Sequence, residues 1–372
     1  MVKARSRKSD KVRVGIIGVG GIANGKHMPS LAKLPNVEMV AFCDIIEERA
    51  VEGAKKYGTP DAKVYTDYRE LLERDDIDVV HVLTPNNLHS KMTVDALEAG
   101  KHVMCEKPMA KTYAEAKAMV DAARRTGKKL TIGYQNRYRA DSTYLKKVVE
   151  AGELGEIYFA KALAIRRRAV PTWGVFLDEE KQGGGPLIDI GTHALDLTLW
   201  LMNNYEWESV MGSTFYKLGK RANEANAWGP WDPAKYTVED SAFGFIRFTN
   251  GATVILESSW ALNTLQVGEA ICVLCGTEGG ADFFDGLRIN GSKFGQLYTT
   301  KVELGAGGVA YYEGKSVDPG YLEAKHWIEA VTEDKPLVVL PEQAATITQI
   351  LEAIYTSART GEPVYNPAVK GK

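Results

Sequence analysis

Cysteine is scarce, with four in 372 residues. That is too few and too scattered for the disulfide framework of a secreted protein. Cys272 and Cys275 form a lone pair inside a stretch that reads as a strand, where an odd separation turns the two side chains to opposite faces. The second ligand pair that a zinc site needs is missing, so four reduced core thiols and no metal are expected. No apolar run reaches the ~18 residues needed to span a bilayer. The basic opening, residues 1–10, has no apolar stretch of signal-peptide kind and reads as a disordered cytoplasmic leader. Net charge is small as well: 46 Lys and Arg stand against 48 Asp and Glu, a balance of -2. Such a chain has no long-range field to gather nucleic acid or an anionic membrane, which leaves a small, roughly neutral ligand as partner.

The length suits two domains of ordinary size. Residues 11–135 alternate short apolar runs with amphipathic stretches, the pattern of parallel strands joined by crossover helices. Strands are predicted over 12–19, 37–44, 79–84, 102–106 and 130–134. Asp67 with Glu70, and Thr112 with Glu115, have capping-box spacing, and Gly100 is placed to end a helix in the left-handed conformation. Residues 136–340 read differently. Longer strands are predicted over 157–165, 242–248 and 252–260, with Asn250-Gly251 as a hairpin turn, so a mixed or antiparallel sheet is expected in an α+β domain. In residues 341–372, Ala344, Ile347, Leu351, Ile354 and Ala358 keep helical spacing, predicting a closing helix and tail that pack back on the body.

The first strand runs into Gly18-Val19-Gly20-Gly21-Ile22-Ala23, a form of the dinucleotide fingerprint. Its first glycine permits the tight turn, its second lets backbone approach a pyrophosphate, and its small last residue lets helix pack near strand. Asp44 ends the second strand about 20 residues on, where a carboxylate can accept from ribose hydroxyls and repel a 2'-phosphate. NAD is therefore expected rather than NADP, with Arg49 the residue that could reverse this. Thr84, Pro85, Asn86 and His89 follow the fourth strand, at the edge where doubly wound sheets bind ligands, so they are expected to line the cofactor. His89 has an alternative role, bonded to local backbone at a helix start.

Glu106-Lys107-Pro108 closes the fifth strand at the same edge. Held there, the Lys107 ammonium could donate to a hydroxyl being oxidised; as a turn lysine it would only meet solvent. The run from Gly183 to Asp196 is the most informative segment. Three glycines read as a flexible approach to Pro186, and Asp189 and His193 then fall one helical turn apart on one face, with Asp196 and Trp200 extending it. Leu187, Ile190, Ala194, Leu197 and Leu201 make the apolar stripe. A histidine there suits a group that takes a hydroxyl proton while hydride leaves the same carbon. A surface Asp and His pair, or a metal pair, are the alternatives.

With these motifs in hand, the sequence resembles the glucose-fructose oxidoreductase and inositol dehydrogenase (Gfo/Idh/MocA) family from about Lys11 to Pro367. The match rests on residues 18–23, Asp44, 106–108, 133–138 and 183–196. The resemblance implies a Rossmann domain followed by an open, mainly antiparallel sheet whose outer face builds dimers or tetramers. It also implies NAD as cofactor and a sugar or cyclitol as substrate. Lys107, Asp189 and His193 would then be catalytic, with His193 the base, Lys107 holding the hydroxyl and Asp189 orienting the substrate. The cofactor set would include Gly18, Gly20, Gly21, Ile22, Ala23, Asp44, Thr84, Pro85, Asn86, His89, Glu106 and Lys107. Gln135, Arg166 and Trp173 join the substrate-binding candidates, since aromatic faces suit the C–H faces of pyranoses. The segment Trp228-Gly229-Pro230-Trp231 reads as a substrate lid or a subunit contact. Three functions are thus expected in order: a hydroxyl dehydrogenase, an NAD-dependent glycoside hydrolase of the same fold, and a non-catalytic dinucleotide-sensing regulator.

Overall fold

In the computed structural model, residues 11–304 and 318–369 are described; the leader anticipated at 1–10 lies outside them. The first domain is a six-stranded parallel sheet of β1 (Val12–Ile17), β2 (Val37–Cys43), β3 (Gly58–Tyr65), β4 (Val79–Val82), β5 (His102–Cys105) and β6 (Leu130–Ile132), in the order β3-β2-β1-β4-β5-β6. Helices α1 (Met28–Leu31), α2 (Glu47–Tyr57), α3 (Tyr68–Leu72), α4 (Asn86–Glu98) and α5 (Tyr113–Thr126) make the crossovers. Helices cover both faces, which is why β1 and β4 are near-continuous apolar runs rather than alternating ones. The edge strand β3 has no counterpart in the sequence reading. It holds no fully buried residue, carries Pro60 where only an edge tolerates proline, and pairs with β2 through an irregular register between Met39 and Ala41. Each strand predicted in this domain ran one or two residues too far at its carboxyl end. The displaced residues, among them Gly18, Asp44, Thr84, Glu106 and Tyr134, leave the ladder to build the edge where ligands bind.

Local signals hold with small changes. Thr112 and Glu115 form the reciprocal capping box, whereas Asp67 accepts from the amide and the guanidinium of Arg69 and makes no box with Glu70. Gly100 follows α4 at φ 79, and of the Asn250-Gly251 turn only Gly251 takes positive φ.

The second domain opens with α6 (Ala140–Glu150), β7 (Ile157–Ile165), α7 (Glu179–Gln182) and α8 (Thr192–Met202). It continues through β8 (Trp207–Phe215), β9 (Ser241–Phe248), β10 (Thr253–Ser259), β11 (Gly268–Gly276), β12 (Gly279–Asp282), β13 (Arg288–Lys293) and β14 (Gln296–Lys301). Then come α9 (Pro319–Thr332), α10 (Pro341–Thr360) and β15 (Val364–Tyr365). The nine strands lie in the order β14-β13-β12-β11-β7-β10-β9-β8-β15 and are antiparallel except for β7 with β10. Side-chain alternation separates the two faces. Val210, Ile246, Val254, Ala160 and Leu274 form one buried cross-strand row, while the next row, Met211, Phe245, Ile255, Lys161 and Val273, faces outward.

Helix α9 departs from the expected division at 340. Its Ala324, Trp327 and Ile328 join the core of Val12, Val14, Met28 and Leu31, so this helix returns to the first domain. Helix α10 buries Ala344, Ile347, Leu351 and Ile354 against β8 on one side and α5 on the other, fastening the two domains together. Among the described residues no helix is long and apolar enough to cross a membrane. All four cysteines are free thiols; Cys272 is buried, and Cys275, three residues on, is partly exposed.

Candidate active site

At the carboxyl edge of the first sheet, Gly18 sits at φ +91, and a Cβ there would come within 2.7 Å of the Leu83 carbonyl oxygen. Only glycine fits. Gly20 and Gly21 differ: a Cβ on either would meet nothing within 4 Å, so the fold itself does not demand glycine there. Open backbone at a helix start, whose first amides lack intrahelical acceptors, fits an approaching diphosphate. Ala23 is fully buried, as the fingerprint requires of its small last member, and Ile22 is half-exposed. Asp44 clamps this turn: its Oδ2 accepts from the Val19 amide at 2.8 Å and its Oδ1 from the Ile46 amide at 2.9 Å. Each oxygen retains acceptor capacity for a ribose hydroxyl. Thr84 Oγ1 and Asn87 Oδ1 are buried near the same edge without partners among the described residues, as atoms awaiting a polar ligand would be. Asn86 is turned elsewhere, donating to the Gln182 carbonyl at 3.0 Å and so linking this loop to the second domain.

His89 corrects the cofactor list. It is buried, with Nδ1 2.8 Å from the Pro108 carbonyl oxygen and Nε2 2.9 Å from that of Thr84, so no nitrogen is left for a ligand. It is a strut between two loops of the site, which is the local-backbone alternative. Glu106 is also turned inward. Its Oε1 contacts Lys26 Nζ at 2.5 Å and His27 Nε2 at 2.7 Å, and its Oε2 accepts the Lys107 amide at 3.0 Å. Lys26 reaches Glu323 of α9 as well, at 3.0 Å. Burial alone would raise the Glu106 pKa, but the Lys26 ammonium and the His27 contact hold it well below the carboxylate range. Glu323 shares the same cation less closely, and burial pushes it up to about 7. His27 is driven down to about 4 by burial and then by Lys26. The carboxylate of Glu106 therefore fixes the backbone from which Lys107 projects.

On the facing wall, the three glycines are a packing device rather than a flexible approach. Gly183 ends α7 at φ +83, a Cβ on Gly184 would fall 2.0 Å from the Tyr355 hydroxyl, and one on Gly185 would fall 2.2 Å from the Glu239 carbonyl oxygen. The helix that follows opens with a wide π turn, Leu187–Gly191, before α8. Buried Glu239 caps it from a distant strand connection: Oε2 accepts from the Gly185 amide at 2.8 Å, and Oε1 from the Leu187 amide at 3.1 Å and the Tyr355 hydroxyl at 2.9 Å. Asp196 and Trp200 do not extend the polar face. Asp196 is buried in a two-point ion pair with Arg137, at 3.0 and 2.6 Å, and Trp200 lies under the same guanidinium. Tyr134 completes this bracing by bonding Thr192 at 2.8 Å, its ring edge-on to His193 at 6.2 Å.

Lys107 Nζ meets Asp189 Oδ1 and the Asp189 carbonyl oxygen, each at 2.9 Å, and the Trp260 indole donates to Asp189 Oδ2 at 3.1 Å. Burial opposes ionisation of Asp189, but the Lys107 ammonium outweighs it and holds the pKa below the usual value. His193 is pushed down to about 3, by burial and then by Lys107, so its imidazole is neutral at physiological pH. Its Nδ1 is buried without a partner among the described residues. Lys107, Gln135, Arg166, Asp189 and His193, five of the residues nominated from the sequence, line one cavity of about 260 Å³. Arg166 is tied by two hydrogen bonds, at 2.6 and 2.8 Å, to Glu269, which also lines it. Trp173 is corrected out of this cavity; it packs edge-on against Trp228 at 4.9 Å and lines a separate groove.

Four contributors escaped the sequence reading: Lys26, Glu239, Trp260 and Tyr134. Each is far in sequence from the residue it serves, so no periodicity exposes it; Trp260 and Tyr134, each at the end of a predicted strand, came nearest to a signal.

Residues 12–134 match the family model described as an oxidoreductase family with an NAD-binding Rossmann fold, and residues 143–282 match the GFO/IDH/MocA C-terminal domain. The chain is 39% identical to a D-glucoside 3-dehydrogenase of Escherichia coli (strain K12), covering 96% of this chain and 98% of that one. It is 38% identical to glycosyl hydrolase family 109 protein 1 of Shewanella sp. (strain ANA-3), over 67% of this chain and 58% of the other. Among solved structures, an oxidoreductase domain protein from Kribbella flavida superimposes with a TM-score of 0.83 at 24% identity, over 96% of this chain and 99% of that one, a likeness of fold. With both domains matched, and a glycine turn whose open backbone suits the dinucleotide, the chain belongs to the GFO/IDH/MocA family of NAD-binding oxidoreductases.

Proposed function

We propose that this protein oxidises a secondary hydroxyl of a sugar, glycoside or inositol to a ketone, with NAD as hydride acceptor. One observation carries the reading: the Lys107 ammonium lies 2.9 Å from the Asp189 carboxylate, in the cavity that His193 also lines. Asp189, pinned by Trp260, holds the ammonium where it can donate to the hydroxyl oxygen and stabilise charge developing there. The neutral imidazole of His193 accepts the hydroxyl proton. The carbinol C–H bond breaks with its electron pair leaving as hydride, the O–H bond breaks toward His193, and the carbon–oxygen double bond forms. The likeness to the Escherichia coli enzyme turns the substrate reading toward a glucoside.

Incubation with NAD and a panel of glucosides, free sugars and inositols tests this. NADH absorbance with at least one of them is expected, and silence across the panel sinks the reading. A second reading is favoured by the similarity to the Shewanella protein: a hydrolase that cycles NAD without net reduction. Release from chromogenic glycosides with no NADH would select it. A cofactor-sensing regulator has no use for Lys107, Asp189 and His193 in one cavity.

Self-association belongs to the same proposal. Met211, Phe245 and Phe215, each more than a third exposed, put an apolar patch on the outer side of the second sheet, suited to a dimer or tetramer. The four free thiols suit a reducing cytoplasm.

A further inference from the structure

A second cavity of about 630 Å³ opens between the segment after β7 and the connection from β8 to β9. Its walls carry Trp173 and Trp231, with Asp178, Lys181, Asp232 and Lys235 around them. Two lines of packed side chains run between it and the catalytic cavity. Along the first, the Arg166 guanidinium lies 5.0 Å over the Trp228 ring, which meets Trp173 at 4.9 Å. Along the second, Trp260, the donor to Asp189, packs on Phe176 at 6.3 Å, and Phe176 packs on Trp173 at 5.9 Å. Trp228 thus stands between Arg166, which lines one cavity, and Trp173, which lines the other.

An exposed tryptophan alone means little. Trp173, however, is 52% exposed while two aromatic neighbours meet it edge-on, which holds its ring in place. An indole face takes the C–H face of a pyranose, and flanking Asp and Lys side chains supply acceptors and donors for its hydroxyls. Two carboxylates against two ammoniums leave the groove without net charge, which suits a neutral polyol better than a phosphorylated one.

The catalytic cavity, at about 260 Å³, is of a size for one sugar ring, so further rings attached to it must emerge. We propose that the groove beside Trp173 binds the distal sugar residues of a glucoside whose terminal ring is oxidised beside Lys107. This rests on the dehydrogenase reading and adds chain-length specificity to it; no bond is made or broken in the groove.

The test compares methyl glucoside, a diglucoside and a triglucoside as substrates, reading kcat/KM by NADH formation, for the wild type and for Trp173→Ala and Lys235→Ala. Wild type should favour the triglucoside over methyl glucoside by about tenfold, and Trp173→Ala should erase most of that preference, the scale of one lost stacking contact. Lys235→Ala, an exposed side chain with no packing role, should reduce the preference in the same direction even if Trp173→Ala misfolds. Calorimetric titration with triglucoside in the absence of NAD separates the two proposals. Trp173-dependent binding in that titration, with no NADH from any of the three sugars in the assays that contain NAD, upholds the groove and sinks the dehydrogenase reading. Oxidation of methyl glucoside with no length preference, or equal losses for all three sugars in both variants, overturns the groove and spares the chemistry. Neither binding nor turnover overturns both.

Discussion

Glu239 accepts the amide proton of Gly185 at 2.8 Å, a contact across 54 residues that caps the helix bearing Asp189 and His193. A cap normally lies beside its helix in sequence; here the tight glycine run leaves no side chain to serve, so the carboxylate comes from another part of the domain. Glu239→Gln keeps the shape but turns an amide donor toward a backbone donor. We expect kcat to fall roughly tenfold with the KM for NAD little changed, the effect of one displaced charge-assisted hydrogen bond. A larger effect on the KM for NAD than on kcat would show that the cap does not serve the chemistry.

Trp260→Phe removes the indole donor to Asp189 and leaves a small void where the buried ring packed on Phe176. A hydrogen bond to a charged group is worth about 1.5–3 kcal/mol, so kcat should drop by about 10- to 100-fold, and the void should lower the urea midpoint as well. Steady-state kinetics beside a denaturation curve reads both; wild-type kcat would dismiss Trp260 as a positioning residue.

His193→Ala should lower kcat by about 10² or more, as loss of a general base does, and leave NAD affinity near wild type. The imidazole pKa, depressed to about 3 by burial and Lys107, adds a second expectation. The acid limb of kcat/KM due to this group should fall well below pH 6, not near the ordinary histidine value. A limb at ordinary histidine pH that vanishes in His193→Ala would contradict the burial argument.

Asp44→Ala removes acceptors from the Val19 and Ile46 amides as well as from the ribose. The KM for NAD should rise at least about tenfold, while kcat at saturating NAD changes far less. Unchanged NAD binding would refute the ribose assignment.

Glu323 gives a stability prediction with a definite sign. Its folded pKa, about 7, lies above the ordinary glutamate value, so between pH ~4.5 and 7 the folded protein binds the extra proton. Its contribution is present at low pH and is lost as pH rises through 7. Wild type should therefore lose stability relative to Glu323→Gln between pH 5 and pH 8, by up to about 3 kcal/mol. Parallel urea midpoints of the two proteins at both pH values would refute this.

The cofactor half was legible because its signals are local. A glycine hexad, a carboxylate at the next strand end and apolar runs at crossover spacing all fall within short windows, and the parallel strands appeared with only their ends overrun. Strand β3 was invisible because an edge strand buries little and so carries no apolar run. His89 and Trp173 were assigned by proximity in sequence to the site, and packing turned one inward and the other into a separate groove.

The amino-acid order alone determined that a dinucleotide turn, a lysine at a strand end and an aspartate–histidine pair on one helix exist in this chain. Local periodicity and spacing are enough to write those features. Tertiary structure alone decided that the lysine meets the aspartate across 82 residues, that Trp260 and Glu239 hold that wall in place, and that Lys26 fixes the other. Such contacts depend on how two domains close against each other, and a burial that brings distant charges together leaves no trace in any window of sequence.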